Sequence, residues 1–301
     1  MSFSKALKYF AAKPSPCELI RIGGDADGAY LLPNDLEGIT ACFSPGVFNR
    51  KDFEDELAVR FNIRSHMCDL SSDEHLFKTP IIQGMQTFKK LWLDISGEQS
   101  ITLADWIAEQ EPDGKGDFIL QMDIEGAEYR NLIDAPAEVL DRFRIIVLEI
   151  HKLAVFDIHN RATAARKVKH AIRIALCKAW LPLRRLADRL PEGSLTRKLK
   201  RLLASNEPYL APAVAARLSK THVCVHAHAN NWAGDYLDPA TGMNVPGILE
   251  LTFLRKDRFV GEKTRFHAPQ IPHPLDIVNV PDKPPVPLNP QWAAGATVLA
   301  R

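Results

Sequence analysis

The sequence predicts an α/β protein built on a mostly parallel sheet, and three observations carry that prediction. "DFILQMD" at 117–123 and "FRIIVLEIH" at 143–151 are continuous apolar runs of strand length, the pattern of parallel strands buried on both faces. "AEYRNLIDAPAEVLDRF" between them is helical material, so strand, helix and strand together form a right-handed βαβ unit. The strand rhythm resumes further on with "THVCVHAHANN" from 221 and "GILELTFLRKD" from 247.

The remaining elements follow in chain order. Residues 3–12 predict a short helix stopped by Pro14, and "LIRIGGDADGAYLLP" predicts a hairpin around a Gly/Asp-rich turn. "GITACFSPGV" reads as a strand running into a Pro-Gly break. "RKDFEDELAVRF" is helical, with Phe53, Leu57, Val59 and Phe61 as its apolar positions, and "IRSHMCDLS" is a second strand that ends in an acid. "PIIQGMQTF" is a strand within an otherwise weakly patterned stretch. "SITLADWIAEQEP" is a helix with Ser100 as its N-cap, Leu103, Trp106 and Ile107 as its apolar side, and Pro112 as its stop.

These elements divide one domain into a helix and hairpin at 1–37, a core at 38–153 and 221–260, an insertion at 154–220, and a proline-rich strap at 269–301 with no periodicity. Within the insertion, residues 161–201 hold eight Arg and five Lys, Arg161 among them, against only Asp188 and Glu192. Three readings of that cationic stretch stand: a solvated helical face, a lid or docking surface for an anionic acceptor, and a basic amphipathic segment on anionic lipid. Over the whole 301 residues the formal charge is +1, which predicts no nucleic-acid partner. Five scattered cysteines without a CxxC pair, and no long uncharged apolar run, give the expectation of a cytoplasmic protein with reduced thiols.

Ligands of open parallel sheets collect at the carboxyl ends of the strands, so those ends are read together. They carry Ser44 and Gly46 after the first core strand, Asp69 after the second, and Asp123 and Glu125 after "FILQM". Glu149 and His151 close "RIIVL", and His226 and His228 close "HVCV". An acid placed like Asp69 can accept from two ribose hydroxyls, and Gly46 lets a cofactor approach the backbone. Three carboxylates, Asp123, Glu125 and Glu128, stand where a buried strand stops, which is costly without a cation, hydrogen bonds or water. The plainer reading is that Asp123 caps the next helix while Glu125 and Glu128 lie on its solvated first turn.

The stretch "SITLADWIAEQEPDGKGDFILQMDIEGAEYRNLIDAPAEVLDRFRIIVLEIHKL" resembles the core of FkbM-type S-adenosylmethionine-dependent methyltransferases, with "MDIEGAE" in place of the common "KIDVEGAE" and "VLEIH" matching "vvlvEiH". "RIGGDADGAYLLP" and "VHAHANN…VPGILELTF" also resemble parts of that family, whereas 154–220 does not. The resemblance implies a class I methyltransferase with a seven-stranded Rossmann-like sheet, S-adenosyl-L-methionine near Ser44, Gly46, Asp69 and Asp123, and a sugar or small-molecule hydroxyl as acceptor. That acceptor needs a base or a metal. His151, oriented by Glu149 or Asp123, is the candidate base and His226 its rival. Residues 226 and 228 share one face of a strand, so Asp123, Glu125, His226 and His228 form a candidate set for a divalent ion. The alternative is a non-catalytic methyltransferase-like scaffold that binds a glycan or an anionic membrane. A nicotinamide-dependent enzyme is disfavoured because GxGxxG is missing.

Overall fold

The structure, a computed structural model, describes residues 2–158, 163–260 and 266–293. Arg161 and the end of the strap from 294 lie outside the described residues. The first helix, Phe3–Phe10, is followed by an antiparallel hairpin of β1 (Leu19–Ile22) and β2 (Tyr30–Pro33). The core then begins with β3 (Ile39–Pro45), helix Asp52–Phe61, β4 (Arg64–Cys68) and β5 (Gln86–Lys89). A small parallel ladder of β6 (Trp92–Leu93) and β7 (Ser100–Ile101) precedes helix Leu103–Gln110 and β8 (Asp117–Met122). Short helices Glu128–Asp134 and Ala137–Leu140 lead to β9 (Phe143–Ile150). After the helical insertion come β10 (His222–Ala229), the pair β11 (Asp235–Leu237) and β12 (Asn244–Pro246), and β13 (Leu249–Arg255).

Seven strands form one sheet in the order β10-β13-β9-β8-β3-β4-β5. The pairs β3–β4, β4–β5, β3–β8 and β8–β9 are parallel, while β13 runs antiparallel to both of its neighbours. The fold is therefore the expected α/β type with a mostly parallel, Rossmann-like sheet. From β3 the chain winds outward through β4 and β5, then returns to β8 beside β3 and winds the other way, which makes the β3/β8 edge the topological switch point.

Alternation along the strands feeds two apolar layers. Phe118, Leu120, Ile146 and Leu148 join one core with Trp106 and Trp180, while Ile119, Ile145 and Val147 join a second core beneath the hairpin with Ile22 and Leu32. Every residue of β9 is buried, as a two-faced strand requires. On the hairpin side the pattern changes toward the carboxyl ends: Ile119 gives way to Gln121, and Val147 to the buried Glu149.

Some boundaries differ from the sequence reading. Ser100 sits in β7, and Thr102 caps the next helix by accepting from the Asp105 N–H at 3.1 Å, because the short β6–β7 ladder claims the two residues before it. Pro136 divides the helical run after β8, since proline cannot continue a helix whose carbonyls it would crowd. Val59 faces solvent and Ala58 packs inward in its place. The last helix of the insertion, Ala211–Thr221, belongs to the core, burying Ala211, Val214, Ala215 and Leu218. The C-terminal segment lies against the body: His267, just before the strap, bridges Ser15, and the buried Trp292 donates its indole N–H to the Asn244 carbonyl at 2.7 Å.

A carboxylate and histidine cluster at the switch point

β3 ends against β8, and the contact between them fixes one residue type. Gly46 follows β3 at φ +85°, and a Cβ there would lie 1.6 Å from the Asp123 carbonyl oxygen. No side chain fits between those two backbones. The loop is held from below by Asp69, whose Oδ2 accepts from the Phe48 N–H (2.9 Å) and the Ser72 hydroxyl (2.8 Å). Its Oδ1 accepts from the N–H (2.8 Å) and hydroxyl (2.6 Å) of Ser71. These bonds draw the Asp69 pKa down against the opposing effect of burial. With four acceptor positions engaged, Asp69 organises two loops while it also borders the larger cavity over the switch point.

The role of Ser44 is corrected. It is fully buried on the hairpin side, its hydroxyl between the carboxyl of Glu54 and the Gln121 side-chain carbonyl at 2.6 Å, while Gln121 donates to the Tyr30 hydroxyl at 3.2 Å. One hydroxyl proton cannot serve two acceptors. A protonated Glu54 that donates to Ser44 resolves the chain, and burial, partly opposed by the Ser44 bond, raises Glu54 to about 7.

The turn after β8 gathers the three carboxylates of "MDIEGAE". Glu125 adopts the left-handed region at φ +57° and Gly126 follows at +103°. Glu128, fully buried, closes this turn: its Oε1 accepts from the N–H groups of Ile124 (3.0 Å) and Gly126 (3.1 Å). Glu128 is thus no solvated first-turn acid, and Asp123 caps no helix, since Ala127 holds the cap position without a side-chain bond. Glu125 does reach solvent, its side chain 89% exposed.

His151 is the hub. Its Nδ1 lies 3.1 Å from both Glu128 Oε1 and the Glu149 carbonyl, which fixes the ring, and the Tyr129 hydroxyl donates to the His151 carbonyl. Its Nε2 points at three carboxylates: Glu149 at 3.6 Å, and Asp123 and Glu125 each at 3.7 Å. Burial opposes the imidazolium, yet the Glu128 hydrogen bond and the charges of Glu128, Asp123 and Glu125 outweigh it and raise the His151 pKa. Asp123 rises to about 7, pushed up by burial and by Glu128 and Glu125 against the pull of His151. Glu149, which accepts from the Asn230 amide at 2.9 Å, rises well above the carboxylate range, through burial first and then through Asp123 and Glu250. Asp123 Oδ1 and Glu128 Oε2 are buried without a hydrogen-bond partner.

Two cavities meet over this cluster. The larger, about 390 Å³, is lined by Gly46, Asp69, Trp92, Asp94, Asp123 and Arg130, with Arg130 clamped to Asp94 through two bonds of 2.8 Å. The smaller, about 180 Å³, lies between Asp27, Tyr30, Arg50, Glu54, Gln121 and the same Gly46 and Asp123. Trp92, Arg130 and Asp27 carried no sequence signal, because they sit in the weakly patterned stretch, on a helix face and in a hairpin turn. Asp123, Glu125 and His151 each offer one ligand atom, all within 4.8 Å of one another.

His226 and His228 do not join this set. They do share one face of β10, but that face meets Asp276 of the C-terminal segment, with His226 Nε2 at 2.9 Å and His228 Nδ1 at 3.5 Å. One nitrogen of each ring meets Asp276, away from the hub at His151, and among the described residues the group whose ligand atoms come together is Asp123, Glu125 and His151. No family model matches the chain, and no curated protein matches it.

Proposed function

We propose that this chain is an S-adenosyl-L-methionine-dependent O-methyltransferase acting on a hydroxyl of a carbohydrate or similar small polar molecule. One observation carries the reading: a larger and a smaller cavity meet at Asp123, at the switch point of a Rossmann-like sheet, where the backbone approach at Gly46 admits no side chain. The larger cavity is of ligand size and presents the half-exposed Trp92 indole, a surface on which a nucleobase stacks. The smaller one is bounded by the polar Asp27, Tyr30, Arg50 and Gln121, which suit a hydroxylated acceptor. Bound in the larger cavity, the cofactor supplies an electrophilic methyl group with a neutral leaving group. The chain's own task is to align the acceptor and take its proton.

Asp123 is the best-placed proton acceptor. It borders both cavities, its Oδ1 has no hydrogen-bond partner, and its pKa of about 7 lies near the operating range where a general base is most effective. His151, 3.7 Å away and locked by Glu128, favours the charged carboxylate electrostatically. A second reading is favoured by the same orphan oxygen and by the three-atom ligand set: Asp123, Glu125 and His151 would hold a divalent ion that lowers the pKa of a bound hydroxyl.

Isothermal titration with S-adenosylhomocysteine is the first test. Saturable binding is expected, and no heat at millimolar ligand would leave the non-catalytic scaffold as the better account. With turnover in hand, Asp123→Asn and His151→Ala each reduce it on the order of a hundredfold. Wild-type activity rises as pH passes through about 7, where Asp123 loses its proton. Activity that survives exhaustive chelation removes the ion from the mechanism.

A further inference from the structure

The cationic insertion presents its apolar residues to solvent in a pattern that a water-facing surface does not explain. Helix Ala164–Leu176 buries no residue at all. It leans on the body through one side only: the His170 ring lies 5.2 Å from that of Tyr209, Arg173 donates to the Ser205 carbonyl at 2.6 Å, and the Cys177 sulfur that follows meets the Asn206 amide at 3.2 Å. On the other side Val168, Ala171, Ile172 and Ala175 recur at three- and four-residue spacing, with Val168 60% and Ile172 55% exposed. An amphipathic helix normally turns such a stripe toward the protein; here it is turned away.

The next helices repeat the arrangement. In Trp180–Arg189, Trp180 and Ala187 point inward while Leu186 is exposed beside Arg185 and Arg189. In Ser194–Ala204, Thr196 and Leu203 are buried, and Leu195 (79% exposed) and Leu202 flank Lys198 on the outside. Seven of the eighteen large apolar side chains exposed among the described residues fall between 168 and 202, so they are concentrated in this insertion. The cations between them are available. Arg184, Arg185 and Lys200 are tied to carboxylates, but among the described residues Lys167, Lys169, Arg197, Lys198 and Arg201 form no ion pair.

We infer that the outer face of helices Ala164–Leu176, Trp180–Arg189 and Ser194–Ala204 is a docking surface for an anionic phospholipid membrane. Outward aliphatic side chains suit the boundary between headgroups and acyl chains, and unpaired Lys and Arg on either side reach anionic headgroups while their stems stay along the apolar layer. Among the described residues no helix is long and apolar enough to cross a membrane, so the contact is peripheral. Charge decides the partner: an apolar protein groove alone would leave these cations uncompensated, whereas an anionic bilayer meets both features at once.

The test is flotation of the full chain with vesicles of equimolar phosphatidylglycerol and phosphatidylcholine, with phosphatidylcholine alone as the control. The protein is expected to float with the anionic vesicles only, and less as salt rises. The pair Val168→Asp and Ile172→Asp is expected to weaken binding on the order of tenfold, and Lys198→Glu with Arg201→Glu, on a separate helix, to do the same. All four positions are exposed, so an unchanged melting temperature certifies the fold of each variant. Equal flotation with neutral vesicles, no flotation with either, or full retention by both variants would overturn the inference. So would release by inorganic phosphate at matched ionic strength, which would assign the cations to a free-phosphate site. A dimer that Val168→Asp and Ile172→Asp convert to monomer, without vesicle uptake, would assign the face to a second copy of the chain.

Discussion

At the scale of single residues, the molecule concentrates titratable groups where they are hardest to charge. Glu54 is the clearest case, because geometry and electrostatics agree on its proton: Ser44 and Gln121 complete a donor chain only if the carboxyl is neutral. Burial lifts its pKa from 4.5 to about 7, so its contribution to stability is full below 4.5 and is lost as pH rises from there through about 7. Glu54→Gln keeps a donor for Ser44 and removes the ionisation. The variant should match the wild type below about 4.5 and exceed it above neutrality, by on the order of 2 kcal/mol, as read from urea midpoints; a constant difference across pH would refute the neutral carboxyl. The chain itself announced part of this. Asp123, Glu125, Glu149 and His151 were legible as a group because strands end beside one another in a parallel sheet, whereas the partner of His226 and His228 was not. Period two put those two imidazoles on one face correctly, but nothing local says that a segment some fifty residues later supplies Asp276 to that face.

At the scale of elements, the site depends on a turn that holds itself in shape. Between β8 and helix Glu128–Asp134 the backbone passes through left-handed conformations at Glu125 and Gly126, and a Cβ on Gly126 would come within 2.5 Å of the Lys152 ammonium. Glu128 Oε1 binds two N–H groups of this turn and the His151 ring, so one buried atom sets both the loop and the orientation of His151. Glu128→Ala leaves all three donors without that acceptor and is expected to cost on the order of 3 kcal/mol, whereas Glu128→Gln keeps an oxygen in place and should cost far less. Equal losses in the two variants, measured by chemical denaturation, would show that the contact only fills space. The strands here were readable from continuous apolar runs. The turn's internal bonding was not, since a glutamate at a helix start is usually a solvated charge favoured by the helix dipole. The same limit hid the short β6–β7 ladder, whose two-residue strands carry too little pattern to register.

At the scale of the whole molecule, the C-terminal segment fastens the antiparallel edge of the sheet. Asp276 receives His226 at 2.9 Å and His228 at 3.5 Å, with the His273 ring edge-on to His226 and Asn279 donating to Glu250 at 2.6 Å. Composition foretold an extended strap, because proline-rich chain without periodicity forms neither helix nor central strand, but where it lies is a property of the folded surface. Burial disfavours a charged His228, yet Asp276 and Glu250 overcome this and raise it to about 9. The His228 contribution is therefore complete below its ordinary 6.5 and is lost as pH climbs through about 9. Asp276 is displaced oppositely: burial works against its charge, the two histidines more than compensate, and its share is lost only in strong acid, below its ordinary 3.8. The clasp is thus complete between about 3.8 and 6.5 and weakens in alkali. Asp276→Asn keeps the size of the side chain but removes the charge, so it should expose the segment from 266 onward to limited proteolysis at neutral pH while sparing the sheet. Raising the pH through about 9 should do the same to the wild type and make little further difference to the variant. If both proteins release the segment at the same rate at every pH, the strap is held by Trp292 and its apolar neighbours alone, and the paired histidines contribute nothing to its attachment.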